Sequence, residues 1–308
     1  MATALALSAQ NTIAELEQAA RRFPDNKQIQ FNLGLALVQK GQLRSAVAPL
    51  ERAAQDPALA NEAHFLLGAD YFEDNKYELA IEELRGLENS EHAERVLYML
   101  EESERRTGKV EEAKATFHNL ITKYPDSPWT DYLMANAYED QKEPEKAIEE
   151  YQAALKKDTA IPNANFAIGY IYFRQQDTEN AKQWLQKETA KGCHGLANYY
   201  LGEIARGEKN LKQAESFYRR AIECDPTQGD AHLRLGTILG EQKRYPEALA
   251  ELRQAVHLEP DQSSPHYHLG ALYKLMGRTA DAEAEYKKVR EIQAATDTGV
   301  DVTRGPKP

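Results

Sequence analysis

Two cysteines, eight histidines and a few adjacent carboxylates are the residues of this chain that could do chemistry. Cys193-His194 places a thiol beside an imidazole, which serves nucleophilic catalysis only where a third group orients the base and a pocket holds a substrate. Cys193 and Cys224 lie 31 residues apart, in the loop and the helix end of adjacent units. That offset predicts Cα atoms farther apart than the roughly 7 Å a bridge can span, so both read as small free thiols, without metal-ligand spacing. The histidines look scattered, and His266 and His268, two apart, belong to different faces of a helix. Glu82-Glu83 and Glu149-Glu150 read as solvated helix surface. There is no His-Glu-x-x-His, no phosphate loop, no dinucleotide fingerprint and no Gly-x-Ser-x-Gly, the spacings that hydrolytic and nucleotide chemistry require. The sequence therefore offers no catalytic residue, no metal ligand and no cofactor site, and the expectation is a protein that is not an enzyme.

What must be positioned is instead a surface. Ala46, Ala80, Ala113, Ala147, Ala181, Ala214, Ala248 and Ala282 recur in steps of 33 or 34 residues. A period of this length means one small unit stacked many times. Twelve residues before each alanine stand Gly34, Gly68, Glu101, Ala135, Gly169, Gly202, Gly236 and Gly270, each preceded by Leu, Met or Ile. Four residues after each alanine comes Leu, Phe or Tyr. Apolar residues recur three and four apart in two stretches per unit, for instance Ala231 to Gln242 and Tyr245 to Leu258, which is helical periodicity. Turn residues divide the stretches at Lys40-Gly41-Gln42 and Met276-Gly277-Arg278, and Pro24, Pro125, Pro226 and Pro260 close several units. Proline cannot continue a helix. The glycines and ladder alanines let paired helices approach, and a larger side chain at either place would cost about 1–3 kcal/mol in overpacking.

Leu67-Gly68-Ala69-Asp70-Tyr71, Ala214-Glu215-Ser216-Phe217-Tyr218 and the closing prolines resemble the tetratricopeptide repeat (TPR) pattern, Leu-Gly-x-x-Tyr, then Ala-x-x-x-Phe/Tyr/Leu, then Pro. The resemblance covers residues 27–294, as eight units starting near 27, 61, 94, 128, 162, 195, 229 and 263. It implies an all-α fold, a right-handed α-solenoid of stacked antiparallel helix pairs, and a protein that works by presenting a long surface. Thr12-Ile13-Ala14-Glu15 is a capping box, and residues 10–26 are expected to form an N-terminal capping helix. Residues 295–308 are expected to form a disordered tail.

In repeats of this family the first helix, helix A, lines a concave groove, and its positions 2, 5, 9, 12 and 13 meet ligand. Position 5 is Phe31, Phe65, Tyr98, Tyr132, Phe166, Tyr199, Leu233 and Tyr267, aromatic in seven of eight units. Aromatic rings give large contact area at low entropic cost. Two readings stand side by side: the line faces the groove, or it packs against the next helix. Asn136, Tyr170, Phe173, Arg174, Glu203 and Arg206 complete the candidate groove, and Glu102, Arg105 and Arg106 charge it in the third unit. Apolar anchors with mixed charge suit an extended peptide or a partner helix. The Lys and Asn clamp by which co-chaperone repeats hold a C-terminal carboxylate is missing: position 5 is never Lys, and Asn136 is the one Asn at position 9.

The third unit departs from the pattern. Glu101 replaces the close-packing glycine and Glu104 the aromatic three residues later. A buried unpaired charge is costly, so a splayed helix pair is expected, with Arg105 or Arg106 as partner to Glu101. Residues 61–112 hold fifteen acidic against six basic residues, read as a solvated outer face or as a docking patch for a basic partner. The net charge of −11 argues against nucleic acid, which demands a basic face. No stretch approaches the roughly 18 apolar residues of a membrane span. Met1 to Ala9 resembles the back half of a signal peptide without its basic start, and reads equally as a frayed end or a truncated helix. The expected function is a non-catalytic scaffold that binds a peptide segment or partner helix. One alternative is an exported bacterial envelope assembly factor of the same fold. Another is the repeat region of a larger enzyme or regulator. The oligomeric state is left open.

Overall fold

The computed structural model describes residues 12–297, and among them there are seventeen helices and no strand. The segment Met1 to Ala9, read as a signal-peptide remnant, and the tail beyond Asp297 lie outside the described residues. The chain divides into two compact units, one ending at Ile161 and one starting at Pro162. In the first, α1 (Ile13–Arg22) precedes four helix pairs: α2 (Lys27–Gln39) with α3 (Leu43–Ala53), α4 (Ala60–Glu73) with α5 (Tyr77–Leu84), α6 (Ala93–Arg106) with α7 (Val110–Lys123), and α8 (Pro128–Asp140) with α9 (Pro144–Lys157). The second unit holds four more. They are α10 (Ala164–Arg174) with α11 (Thr178–Lys191), α12 (Gly195–Gly207) with α13 (Leu211–Cys224), α14 (Gly229–Glu241) with α15 (Tyr245–Leu258), and α16 (Ser263–Leu275) with α17 (Thr279–Asp297). Within each unit, each helix packs on its partner and successive pairs pack on one another, so the core is a strip that continues from repeat to repeat. The last helix runs to Asp297, three residues past the boundary expected at 294.

Capping starts the array. The Glu15 N–H donates to the Thr12 hydroxyl at 3.3 Å and the Thr12 N–H donates to the Glu15 carboxylate at 2.8 Å, so two free donors of α1 are satisfied reciprocally. Leu16 and Ala20 of α1 are buried against the first pair.

Each pair is closed by the same turn. Gly41, Asn75, Gly108, Lys142, Gln176, Lys209, Lys243 and Gly277 all have φ between 56° and 75°. The N–H after each donates to a carbonyl five residues back, as Gln42 to Leu37 at 2.9 Å and Arg244 to Leu239 at 2.9 Å. This is the Schellman stop, in which one left-handed residue satisfies the last carbonyls of a helix. Only three of the eight are glycine, so five turns hold side chains in a backbone region that disfavours them.

The glycines of the ladder form the seam inside the pairs. A Cβ on Gly34 would lie 2.5 Å from Leu50 Cγ, on Gly68 2.5 Å from Leu84 Cγ, and on Gly236 2.7 Å from Leu252 Cγ. The facing residues Leu50, Leu84, Leu185, Tyr218 and Leu252 are almost wholly buried, and so are the ladder alanines.

Cys193 and Cys224 are joined by a disulfide, with Cα atoms 5.3 Å apart, against the expectation of two free thiols. The offset of about one repeat misled because it was counted along the stack. Cys193 stands two residues before α12 and Cys224 is the last residue of α13. The chain runs out along one helix of the pair and back along the other, so the two cysteines meet at the same end.

The histidines are not scattered. His64, His232 and His266 occupy the fourth position of their units and contact Glu83, Glu251 and Glu285 at 2.6, 2.7 and 2.6 Å. The other ring nitrogens of His232 and His266 face the Pro226 and Pro260 carbonyls at 3.1 and 3.0 Å. Gln30 donates to the Pro24 carbonyl at 3.0 Å in the same position. Burial works against charge at His232, but the Glu251 carboxylate and the Pro226 carbonyl outweigh it and raise its pKa above the ordinary value. His232 and His266 tie helix A both to the turn that precedes it and to its own helix B, Gln30 ties it to the turn and His64 to helix B.

Candidate functional site

The position-5 line divides by environment. In the first unit Phe65, Tyr98 and Tyr132 are buried. Phe65 stacks on His92 at 3.9 Å, and Tyr98 stacks on Trp129 at 4.4 Å and meets Tyr132 edge-on at 5.5 Å. Tyr132 in turn meets Tyr151 at 5.3 Å. These rings fill the space between successive A helices, so their faces go to the neighbouring repeat and not to a groove. Phe31 is half-buried. In the second unit Tyr199 and Leu233 are buried, Phe166 is half-buried and Tyr267 is 55% exposed. Asn136 accepts from the Tyr151 hydroxyl at 2.6 Å, a bond within the pair α8–α9.

An aromatic cluster with accessible faces gathers on α10 and α12. Tyr200, half-buried, is its centre. Tyr170 and Phe173 lie 5.0 Å from it and Phe166 6.1 Å. Phe166 also stacks on His194 at 4.9 Å, and the Arg174 guanidinium lies 5.8 Å from the Tyr170 ring centre. Burial and the neighbouring Tyr170 push the Tyr200 hydroxyl above its ordinary pKa, so Tyr200 stays a neutral donor. Beside the cluster a charged network spans α12 and α14. Glu203 pairs with Arg206 at 3.0 Å and Arg234 at 3.2 Å and accepts from the Tyr218 hydroxyl. Burial disfavours the Glu203 charge, but the bonds from Arg206 and Tyr218 win and hold its pKa below the usual range. Of the candidate groove residues, Phe166, Tyr170, Phe173 and Arg174 come together, and the Glu203–Arg206–Arg234 network reaches the cluster through Tyr199, whose ring lies 5.2 Å from Tyr200. Sequence reasoning missed Tyr200 and Arg234. Both are at position 6, which varies from Asn32 to His268 along the chain and so carries no periodic signal.

The third repeat is built differently. Glu101, Glu102 and Glu104 are all buried. Arg105 and Arg106, expected to partner Glu101, bind Glu102 instead, Arg106 at 2.7 Å. Arg105 is four residues from Glu101 as well as three from Glu102, but it bonds Glu102 and acts on Glu101 only through space. Glu104 accepts from the Thr116 hydroxyl at 2.7 Å. Glu101 Oε2 is buried without a hydrogen-bond partner. Burial pushes the Glu101 pKa up to about 7, with Arg105 opposing and Glu102, Glu104 and Asp140 reinforcing. Phe117, the counterpart of the leucines that face glycine elsewhere, is only half-buried. A cavity of about 260 Å³ lies where α6 and α7 meet α8, and Glu101, Arg105, Phe117, Leu133 and Asp140 help to line it. The acidic stretch 61–112 is thus not one outer face, because Asp70, Glu101, Glu102 and Glu104 are inside.

Glu62, Glu91 and His92 also bring potential metal-ligand atoms within 4.8 Å of one another, but His92 already contacts Glu62 at 2.8 Å, and solvated acidic groups commonly gather without an ion. Among the described residues no helix is long and apolar enough to cross a membrane.

Stacked helix pairs with a tight small-residue seam, carrying side chains on successive A helices, define a helical-repeat protein of the kind that presents a surface. Profiles of the tetratricopeptide repeat match residues 12–60, 35–93, 96–127, 132–192, 197–228, 217–250 and 264–296, and a TPR repeat profile matches 236–277. The chain belongs to the tetratricopeptide repeat family. Among curated proteins it is similar to Superkiller complex protein 3 of Homo sapiens, 26% identical over 163 residues, which is 50% of this chain and 10% of that protein. The chain thus matches about a tenth of that relative's length. Among solved structures, the Cut9–Hcn1 hetero-tetramer of APC/C aligns with a TM-score of 0.64 at 16% identity, over 90% of this chain and 56% of that one. Pseudomonas aeruginosa pilF aligns with a TM-score of 0.57 at 18% identity, over 66% and 97%. At such identities the likeness is one of fold.

Proposed function

We propose that this protein is a non-catalytic scaffold that binds an extended polypeptide segment across the A helices of its second unit. The observation that carries the reading is the aromatic cluster of Phe166, Tyr170, Phe173 and Tyr200 with Arg174 over one ring and the Glu203–Arg206–Arg234 network beside it. Half-buried aromatics flanked by charges are the composition of binding hot spots. They suit a segment with an apolar or aromatic anchor followed by a charged residue. The net charge of −11 favours protein over nucleic acid as partner. The test begins with a segment identified by cross-linking to the intact chain. Its affinity is then measured by titration against Tyr170→Ala/Tyr200→Ala. Hot-spot loss should weaken binding by at least about tenfold. An unchanged affinity in a variant with intact far-UV circular dichroism would sink the reading.

A second reading, export to an oxidising compartment where the protein assists assembly of a larger machine, is favoured by one observation, the Cys193–Cys224 disulfide. Structural disulfides persist outside the reducing cytosol. The check is thiol trapping in the cells that make the protein. Under this reading both cysteines react with a maleimide only after reduction, and free labelling before reduction rejects it.

A further inference from the structure

The cavity between α6, α7 and α8 has the makings of a binding site that the groove reading does not use. Its apolar walls come from Phe117 and Leu133 with Ala113 and Ala137, and its polar side from Glu101, Asp140 and Asn136 with Arg105 and Lys114. Glu101 is 9% exposed, and its Oε2 has no partner. An unsatisfied buried oxygen is rare and calls for an explanation. The chemistry around it is cation-seeking. Arg105, the one guanidinium on the wall, bonds Glu102 and reaches Glu101 and Asp140 only through space, and Lys114 is held by Glu111 at 2.8 Å. Glu101 and Asp140 line the space, and neither forms an ion pair among the described residues. A volume of about 260 Å³ is several times the roughly 30 Å³ a water occupies, so the five heavy atoms of a lysine side chain fit. Arg105, Asn136 and Asp140 stand at helix-A positions 12, 9 and 13, so the cavity adjoins the positions that the family resemblance assigns to a groove.

We propose that this cavity anchors a lysine side chain from a partner polypeptide, with the ammonium taken by Glu101 and Asp140 and the methylenes lying on Phe117 and Leu133. The proposal rests on the scaffold reading for its partner, but its residues lie in the first unit and those of the aromatic cluster in the second. Glu101 is costly where it stands, and an ammonium within hydrogen-bond reach supplies what the folded chain leaves out. The apolar walls select a long aliphatic stem over a short or bulky cation. The site discriminates against a neutral ligand of the same shape, because such a ligand leaves the carboxylates unpaired.

The test is a titration of the full chain with n-butylammonium, read by the methyl resonances of Ala113, Leu133 and Ala137. Saturable shifts at these three methyls are expected, with n-butanol and the Glu101→Gln variant each at least tenfold weaker. N-acetyl-lysine methylamide should bind at least as tightly as n-butylammonium. Equal binding of the alcohol and the ammonium, or no saturation, overturns the proposal. Binding of n-butylammonium without the lysine amide assigns the cavity to a free small amine and overturns it as well. Should Glu101→Gln fail to fold, the ammonium–alcohol comparison on the unaltered chain decides by itself. Failure here leaves the Tyr170/Tyr200 test untouched, since that test reads other helices.

Discussion

The pairs α14–α15 and α6–α7 share one seam and fill it in opposite ways. In the seventh repeat Gly236 lets α14 approach until Leu252 is 1% exposed. In the third, Glu101 holds the same place, Phe117 is left half-buried, and a cavity lies where the pair meets α8. Even the ladder alanine registers the difference: Ala113 retains 5% exposure where Ala248 has none. The repeat accommodates a buried carboxylate in the glycine's place where its neighbours brace the pair. Here the bracing comes from the Tyr98–Trp129–Tyr132 stack above and the Glu102–Arg105–Arg106 network on the adjoining face. Stability in such arrays is close to a sum of repeat and interface terms, so one loosened unit can persist between tight ones.

The largest effect should come from moving the third repeat's residue into the seventh. In Gly236→Glu the new Cβ would lie 2.7 Å from Leu252 Cγ and 3.1 Å from the Leu252 backbone nitrogen. Overpacking and an uncompensated buried charge together predict a loss of about 3–5 kcal/mol in urea unfolding. The reverse exchange, Glu101→Gly, should stabilise at neutral pH by about 1–2 kcal/mol, as relief of the buried acid exceeds the helix penalty of glycine. Opposite signs for the two exchanges are the content of the comparison. A loss in both would mean that the third repeat is closed around Glu101 as tightly as the seventh is around glycine.

How far the fold could be read from the chain follows from which features are periodic. The alanine, glycine and position-5 ladders repeat because every pair needs the same close approach, and they mark all eight units. The left-handed turn residue repeats in conformation but not in type. Gly41 and Gly277 announce it, whereas Lys142, Gln176, Lys209 and Lys243 hide it, because the Schellman bonds tolerate a modest strain that the sequence does not display. The His–Glu ties escaped notice for a related reason: three units use histidine at position 4, while Gln30, Asn165 and Asn198 stand in others. Linear spacing hides the disulfide, since an antiparallel pair returns the chain to its starting end. The candidate groove was half legible. Phe166, Tyr170, Phe173 and Arg174 do cluster, but a period cannot tell a ring that faces solvent from one that, like Tyr98, faces the next helix.

A smaller and more exacting test of the third repeat's seam is its response to pH. Glu101 is held up to about 7 from 4.5, chiefly by burial and further by Glu102, Glu104 and Asp140 against the opposing Arg105. Below about pH 4.5 the folded and unfolded chains both keep this proton, and Glu101 costs no ionisation. Between 4.5 and 7 the unfolded chain releases it while the folded chain holds it, so stability falls as pH rises. Above 7 the loss is complete and constant. Glu101→Gln keeps the shape and removes the titration. The variant and the parent should therefore unfold alike at pH 4, and the variant should be the more stable by roughly 3 kcal/mol at pH 8, at about 1.4 kcal/mol for each unit of displacement. Urea midpoints taken across this range measure the difference directly. Its growth with pH identifies a buried acid that lacks a partner. A difference that stays flat from pH 4 to pH 8 would show Glu101 already paired or solvated, and the third repeat would then differ from the seventh in packing alone.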